Sequence, residues 1–152
     1  DWAKQMKNVD SLSDTKQMQL SFWQQLSDTI KSNEVYSKEF SSRKAQPQHW
    51  YNLSIGSSSY HVSLTVNTQK KNIGAEIYIP DDKEKFAMFK EYATQIEQLV
   101  KSKEEWREAT KATRILTIQT CDISDESRWQ QAIEWLLNKA LVFKKIAKQF
   151  DK

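Results

Sequence analysis

The chain has 152 residues, with 23 Lys and Arg against 20 Asp and Glu and a formal net charge of +3. Dedicated nucleic-acid modules are usually more basic and carry their charge in clusters, so this balance alone does not indicate one. The single cysteine, Cys121, excludes an internal disulfide and a cysteine-rich zinc site.

The length fits one domain that buries roughly two-thirds of its unfolded surface. Only two Gly and two Pro are present, which argues against long flexible linkers. We predict an N-terminal tail or linker remnant at residues 1–10 and a single domain over residues 11–152. No apolar run approaches the ~20 residues that cross a membrane, and no signal-peptide pattern is present, which favours the cytoplasm. Because the chain begins at Asp1 without Met, we expect it to be part of a longer protein.

The first predicted element is a helix over residues 12–32. Ser11 and Asp14 have the spacing of a capping box, in which the first and last of four residues cap a helix start. Large apolar side chains then recur at helical spacing: Phe22, Trp23, Leu26 and Ile30. Residues 33–48 are polar and contain Pro47, and we predict that they form a loop.

Three strands are predicted next, at residues 50–56, 60–68 and 73–79, separated by polar turns. The second strand alternates between two sets of side chains. The apolar set is Tyr60, Val62, Leu64 and Val66. The polar set is His61, Ser63, Thr65 and Asn67. Because successive side chains point to opposite sides of a strand, this alternation predicts a sheet with one apolar and one polar face.

A second helix is predicted from Pro80 onward, because the two aspartates that follow suit its positive N-terminus and apolar residues line one side. Strands are expected at residues 104–109 and 113–121, and residues 124–127 are expected to cap a long final helix. The element order is therefore α-β-β-β-α-β-β-α. This order predicts an α+β fold, with a single mostly antiparallel sheet and helices packed on one face.

Three segments and the aromatic final helix resemble a known family, the bacterial domain of unknown function 4268. The segments are HWYNLSIG, HVSLTVNTQKK and GAEIYIPDDKE. The resemblance covers nearly the whole chain from about Thr15 onward. Members of that family commonly form the C-terminal part of longer bacterial proteins, some of which carry a nuclease-like N-terminal domain. The resemblance therefore implies a module tethered to another domain, and it supplies no catalytic residues.

The order α-β-β-β-α-β is also similar to the core of the PD-(D/E)xK nucleases. Those enzymes bind Mg²⁺ with an Asp on the second strand and a Glu on the third, two residues before a Lys. Here Asn67 ends the second strand, and Tyr78 stands two residues after Glu76, where the lysine is required. A neutral amide is a poor Mg²⁺ ligand, so two of the three expected groups are absent. A divergent Mg-dependent nuclease is kept as an alternative function, and it would need Glu76.

The polar face of the predicted sheet is the candidate site. Its members, if the first three strands pair in sequence order, are Trp50, Asn52, Ser54, His61, Ser63, Thr65, Asn67, Glu76 and Tyr78. Aromatic and amide side chains on such a face can stack on bases or contact a partner peptide. Lys70 and Lys71 at the adjoining turn, with Arg43 and Lys44 on the preceding loop, would add phosphate contacts. The same alternation is also typical of a sheet that simply faces water.

The leading functional hypothesis is a non-catalytic accessory module of a larger bacterial protein, which binds nucleic acid or a protein partner. The alternatives are the divergent nuclease and a structural or dimerisation domain that uses its helices. No cofactor and no bound metal are predicted. His49 and His61 are the only histidines, and nothing in the sequence marks a nucleophile that either would activate.

Overall fold

The structure is a computed structural model and describes residues 13–101, 104–108 and 112–151. The helices in these residues are α1 (Asp14–Ser32), α2 (Glu34–Glu39), α3 (Lys83–Glu91), α4 (Ala93–Val100) and α5 (Trp129–Phe150), with a single-turn 3-10 helix at Glu126–Arg128. The strands are β1 (Trp50–Leu53), β2 (His61–Asn67), β3 (Asn72–Pro80), β4 (Glu104–Glu108) and β5 (Ala112–Thr120). The predicted α+β class is confirmed.

All five strands belong to one antiparallel sheet in the order β1-β2-β3-β5-β4. The first three strands pair in sequence order, as predicted, because short connections favour pairing between neighbours along the chain. β5 then pairs with the free edge of β3, and β4 pairs with the far edge of β5. β3 is therefore the central strand, and β1 and β4 form the two edges of the sheet.

The apolar face of the sheet and the helices that cover it form the core. The predicted apolar set of β2 lies on this face and is buried: Tyr60, Val62, Leu64 and Val66. α5 packs against β2 and β3, while α3 packs against β3 and β5. Full burial of an aliphatic or Phe side chain stabilises a fold by roughly 1.5–3 kcal/mol. The alternation of β2 therefore decides which face the helices cover, and none of the described helices covers the polar face.

The polar segment after α1 contains a helix, which corrects the loop predicted for residues 33–48. The Asn33 side chain accepts hydrogen bonds from two backbone N–H groups in the first turn of α2, at 2.9 and 3.0 Å. Tyr36 is buried, and its hydroxyl donates to Asn138 Oδ1 on α5 at 2.8 Å. A helix this short has no repeating apolar stripe, so periodicity does not reveal it.

Three other helix boundaries differ from the prediction. α1 is capped by Ser13, whose Oγ accepts a hydrogen bond from the third helical N–H at 3.2 Å, while Ser11 lies outside the described residues. The predicted second helix is two helices, α3 and α4, which meet at Tyr92. Asp125 caps the 3-10 helix, and α5 begins only at Trp129. Each difference is local, because the apolar residues of these helices still face the core.

Some expectations about the chain as a whole stay predictions. Residues 1–10, expected to form a tail, lie outside the part that the structure describes. The single domain over residues 11–152 and the cytoplasmic location are likewise untested. Among the described helices, none combines the length and the apolar composition that a bilayer crossing requires.

Candidate functional site

The polar face of the sheet borders a concave cavity of about 530 Å³. Small-molecule sites commonly have volumes of about 300–1,000 Å³, so a nucleobase or a ring of similar size fits. Nine of the predicted binding residues line this cavity: Trp50, Asn52, His61, Ser63, Thr65, Asn67, Lys70, Glu76 and Tyr78. The structure thus brings these side chains together, while their function stays a prediction.

The register of the sheet arranges the cavity side chains in rows that run across the strands. The middle row contains Asn52, Ser63, Glu76, Leu116 and Glu105. The row on one side, the tyrosine row, contains His61, Tyr78, Arg114 and Arg107. The row on the other side, the tryptophan row, contains Trp50, Thr65, Gly74 and Ile118. Same-face neighbours along a strand are about 6.6–6.8 Å apart, so the two outer rows lie ~13 Å apart.

An aromatic pair stands on either side of the middle row. In the tyrosine row, the rings of His61 and Tyr78 have centroids 5.3 Å apart and an interplanar angle of 35°. At the tryptophan row, His49 and Trp50 form an edge-to-face pair with centroids 4.8 Å apart. Trp50 is also 38% exposed, although it is one of the largest apolar side chains. The two pairs offer ring surfaces on which a planar ligand can stack.

The middle row is a polar floor that is largely removed from solvent. Ser63 is 6% exposed and Glu76 is 8% exposed, which corrects the expectation that the polar face is open at these positions. The Glu76 carboxylate forms no hydrogen bond or ion pair with a described residue. Asn52 Oδ1 is buried and has no hydrogen-bond partner within the described residues.

Positive charge lies along the edge of the cavity. The Arg114 guanidinium lies over the Tyr78 ring, 5.1 Å from its centroid, and forms no ion pair with any residue in the described ranges. Arg107, on the neighbouring strand, pairs with Glu105 at 2.7 Å on the exposed surface. Lys70 is exposed on the turn between β2 and β3. These three cations favour an anionic ligand such as a phosphate chain.

Burial changes the protonation equilibria of two cavity groups. It raises the pKa of the Glu76 carboxyl, while the charges of Arg114 and Arg107 act in the opposite direction. Burial lowers the pKa of His61, and the nearby charge of Arg43 lowers it further. His61 is therefore neutral at neutral pH, with one ring nitrogen as donor and the other as acceptor. Glu76 is harder to ionise than a surface glutamate, unless a donor reaches it.

Gly74 keeps the tryptophan row low between its two exposed ends. A Cβ at this position would lie 2.8 Å from Thr65 Oγ1 and 3.4 Å from the Thr117 carbonyl oxygen. Thr65 therefore occupies the space that a larger residue at position 74 would need. Trp50 at one end of the row and Ile118 at the other are exposed. The row offers two apolar walls with a shallow stretch between them.

Four residues that were expected to contribute lie elsewhere. Ser54 is exposed beyond the end of β1, which is shorter than the strand predicted for residues 50–56. Lys71 has a left-handed backbone with φ of 54° and does not line the cavity. Arg43 and Lys44 do not line it either, although Tyr51 holds their loop by donating its hydroxyl proton to the Arg43 carbonyl at 2.7 Å. The positive charge of Arg43 nevertheless contributes to the lowered pKa of His61, which does line the cavity.

β4 and β5 supply half of the cavity, and none of their residues was predicted to belong to it. The missed residues are Arg107, Arg114, Leu116 and Ile118. The outward side chains of β5 include two apolar ones, and its inward side chains include Thr113 and Thr117. Hydrophobic alternation therefore assigns no face to this strand. The one usable signal was that Arg107 and Arg114 fall within the two strands predicted for residues 104–109 and 113–121.

The cavity does not assemble the groups that a PD-(D/E)xK nuclease needs. Asn67 pairs with Asn72, four residues along β2 from Ser63, which pairs with Glu76. Four residues of strand span ~13 Å, which is too far for Asn67 and Glu76 to share a metal ion. Within the described part of the chain, no group of three or more His, Cys, Asp or Glu residues is placed to hold a metal ion.

The fold and the cavity together define a class: an α+β protein with helices on one face of an antiparallel sheet and a polar cavity on the other. The profile of a family described as Domain of unknown function (DUF4268) matches residues 18–151. The chain belongs to this family, which confirms the resemblance found in its sequence.

Two other comparisons add little. No curated protein matches the chain. One solved structure, described as the crystal structure of the ExsC-ExsE complex, is similar to it with a TM-score of 0.38 and 8% sequence identity. That similarity covers 88% of this chain and 96% of the other. A likeness this weak carries no argument about function.

Proposed function

We propose that the chain is a non-catalytic module that binds single-stranded nucleic acid in the cavity on its polar sheet face. One observation carries the proposal: a buried polar floor lies between two aromatic pairs, with three cations along its edge. Proteins that bind single strands combine base stacking on aromatic rings with phosphate contacts to cations. A duplex hides the faces of its bases, so this arrangement favours unpaired strands.

The aromatic residues and the cationic residues of the cavity contact different parts of the nucleic acid. Trp50 and Tyr78 present rings on which bases stack, and such stacking is worth roughly 1–3 kcal/mol per base. Arg114 and Lys70 contact phosphates. Arg114 is suited to this role because its position over the Tyr78 ring holds it at the cavity edge while its N–H groups remain available.

The module serves a partner domain in a longer bacterial protein of the cytoplasm. The family resemblance supports this setting, because members of the family commonly stand beside another domain. The cavity supports a binding role rather than a catalytic one, because Glu76 is the one acidic residue among the described residues that line it. Any chemistry on the bound strand would then belong to the partner domain.

Fluorescence anisotropy with labelled oligonucleotides of roughly 10 nucleotides tests the proposal. We expect the single strand to bind and the affinity to fall steeply between ~50 and ~150 mM salt, since binding releases counterions. Arg114→Ala should reduce the slope of this salt dependence by about one phosphate contact. Trp50→Ala should weaken binding by roughly 5- to 150-fold at every salt concentration.

Lys145→Ala provides the matched control, because Lys145 is exposed on α5, on the opposite side of the sheet. This variant should bind like the unchanged protein. No binding at ~50 mM salt would overturn the proposal and leave a protein partner as the better account. Equal binding of duplex and single strand would overturn the preference for unpaired bases. Strand cleavage with Mg²⁺ that Glu76→Ala abolishes would establish the nuclease alternative.

A further inference from the structure

The floor of the cavity presents two acceptors on either side of one hydroxyl. Ser63 pairs with Asn52 on β1 and with Glu76 on β3, so it lies between them in the middle row. Ser63 has a single hydroxyl proton, which cannot satisfy both neighbours. Neither Asn52 Oδ1 nor the Glu76 carboxylate has a donor within the described residues. The floor therefore lacks donors and would be stabilised by a ligand that brings them.

The four bases differ in how many adjacent donors they present on the Watson–Crick edge. Guanine presents its ring N1–H and its 2-amino group side by side. Adenine and cytosine each place an acceptor nitrogen next to their amino group, and thymine or uracil has one N–H between two carbonyl oxygens. A carboxylate that faces these other edges meets an acceptor as well as a donor. Only guanine offers two neighbouring donors to the two oxygens of one carboxylate.

We propose that the middle row recognises an unpaired guanine. The Glu76 carboxylate accepts hydrogen bonds from guanine N1–H and from one N–H of the 2-amino group, and Asn52 Oδ1 accepts a hydrogen bond from the other N–H of that amino group. This inference rests on the nucleic-acid binding proposed above. Because guanine then supplies the donors for both neighbours, the Ser63 hydroxyl is no longer needed as a donor to Asn52 or Glu76. The guanine ring stands between the tyrosine row and the tryptophan row, which lie ~13 Å apart. That spacing accommodates a planar ring together with the side chains that flank it.

The burial of the floor makes the recognition selective. Glu76 is 8% exposed, so a base that brings no donors leaves its carboxylate with little water and no partner. A good two-point contact to a base discriminates against the wrong base by about 5- to 150-fold. Guanine binding also favours the ionised carboxylate, because its donors offset the loss of water.

The test compares thymine oligonucleotides that carry one central guanine, inosine, adenine, cytosine or thymine. Inosine is the sharpest probe, because it lacks only the 2-amino group of guanine. We expect the guanine oligonucleotide to bind tightest, and the inosine one about tenfold more weakly. Glu76→Gln should bring the ratio of guanine to adenine affinity close to one, because an amide offers one donor and one acceptor. Glu97→Gln, on the exposed side of α4, should keep the preference.

The outcomes separate the inference from the function on which it rests. If the all-thymine oligonucleotide binds and guanine adds nothing, or inosine equals guanine, the guanine inference is wrong while single-strand binding stands. If no oligonucleotide binds, both are wrong. A preserved guanine preference in Glu76→Gln would also overturn the inference. If that variant does not fold, the inosine comparison on the unchanged protein decides.

Discussion

Glu76 is the residue on which the candidate site most depends. It lies on the central strand, 8% exposed, with the charges of Arg114 and Arg107 nearby but no ion pair among the described residues. An acid buried in this way costs free energy unless donors reach it. Packing alone does not need a carboxylate here, since Leu116 fills the next position of the same row with an apolar side chain. The guanine proposed above would offset this cost by donating hydrogen bonds to the carboxylate.

Thr65 and Gly74 are coupled by the space that they share. We expect Gly74→Ala to destabilise the protein by about 1–3 kcal/mol, because its Cβ would lie 2.8 Å from Thr65 Oγ1. In a Thr65→Ala background the same substitution should cost less, because the crowded oxygen is gone. Some cost should remain, since the Thr117 carbonyl lies 3.4 Å from that Cβ. Urea unfolding of the two single variants and the double variant measures the coupling.

Thr65→Ala alone is the reference for this cycle. Its Oγ1 donates only a long hydrogen bond of 3.4 Å to the Gly74 carbonyl, so its loss should cost less than about 1 kcal/mol. Equal costs of Gly74→Ala in both backgrounds would show that the Thr65 hydroxyl does not crowd position 74.

Among the elements, the end of α5 is tied to the sheet and to α3 by one carboxylate. Asp151 follows the last helical residue and accepts hydrogen bonds from the Tyr60 hydroxyl at 2.7 Å and from Lys85 Nζ at 2.6 Å. The Lys85 hydrogen bond, with a smaller contribution from Tyr60, holds the pKa of Asp151 below its ordinary value. Burial, followed by the bond to Asp151, raises the pKa of Tyr60, so this phenol stays a donor. The long helix is thereby anchored at its C-terminus.

The anchor predicts a pH-dependent contribution to stability. The pKa of Asp151 is lower in the folded protein than in the unfolded chain. The ionised carboxylate therefore stabilises the fold fully above the unfolded pKa, which is near 4. This stabilisation is lost as the pH falls through the folded pKa. Asp151→Asn should therefore destabilise the protein by about 1–2 kcal/mol at pH 7. This value is kept small because solvent around the partly exposed Lys85 side chain screens the ion pair. The difference between the two proteins should shrink below about pH 4.

Urea unfolding of both proteins at several pH values measures this difference. Asp28→Asn serves as control, because Asp28 is an exposed carboxylate whose one hydrogen bond among the described residues comes from the side-chain amide of Gln24. It should change stability by less than about 0.5 kcal/mol. If the two proteins differed in unfolding free energy by the same amount from pH 7 down to about pH 2, the ionised Asp151 carboxylate would not be the source of the difference.

At the scale of the whole molecule, the one-sided helix layer makes room for the cavity. α3 and α5 both pack on the apolar face of the sheet. No described helix packs on the polar face, so the side chains of all five strands can meet there. The order β1-β2-β3-β5-β4 then places the central strand under the middle of the cavity. Strands hold the floor and both aromatic pairs, apart from His49, which directly precedes β1.

The same architecture predicts a gradient of hydrogen-exchange protection across the sheet. β3 has a strand on either side and its inward side chains are fully buried, including Ile73, Ile77 and Ile79. β1 is a four-residue edge strand. We expect the amides of β3 to exchange only through global unfolding and those of β1 to exchange through local opening, at least about tenfold faster. Native-state exchange followed by NMR measures both, and equal protection in the two strands would contradict the prediction.

Local sequence patterns were sufficient to assign the face of each side chain in the first three strands. The strict alternation from Tyr60 to Asn67 assigns every side chain of β2 to the core or to the cavity, because neighbours along a strand point to opposite sides. The polar residues of β1 and β3 follow from the same rule and from pairing between sequence neighbours. These local patterns placed the predicted residues around one cavity and identified the family.

The other half of the cavity and the environment of its floor depend on contacts between residues that are distant in the sequence. Arg114 reaches Tyr78 because β5 pairs with β3, a contact between strands that α3 and α4 separate along the chain. The mixed faces of β5 gave no alternation from which to predict that pairing. The burial of Glu76 likewise depends on neighbours from other strands, because exposure is a property of the packed sheet and not of one residue's sequence context.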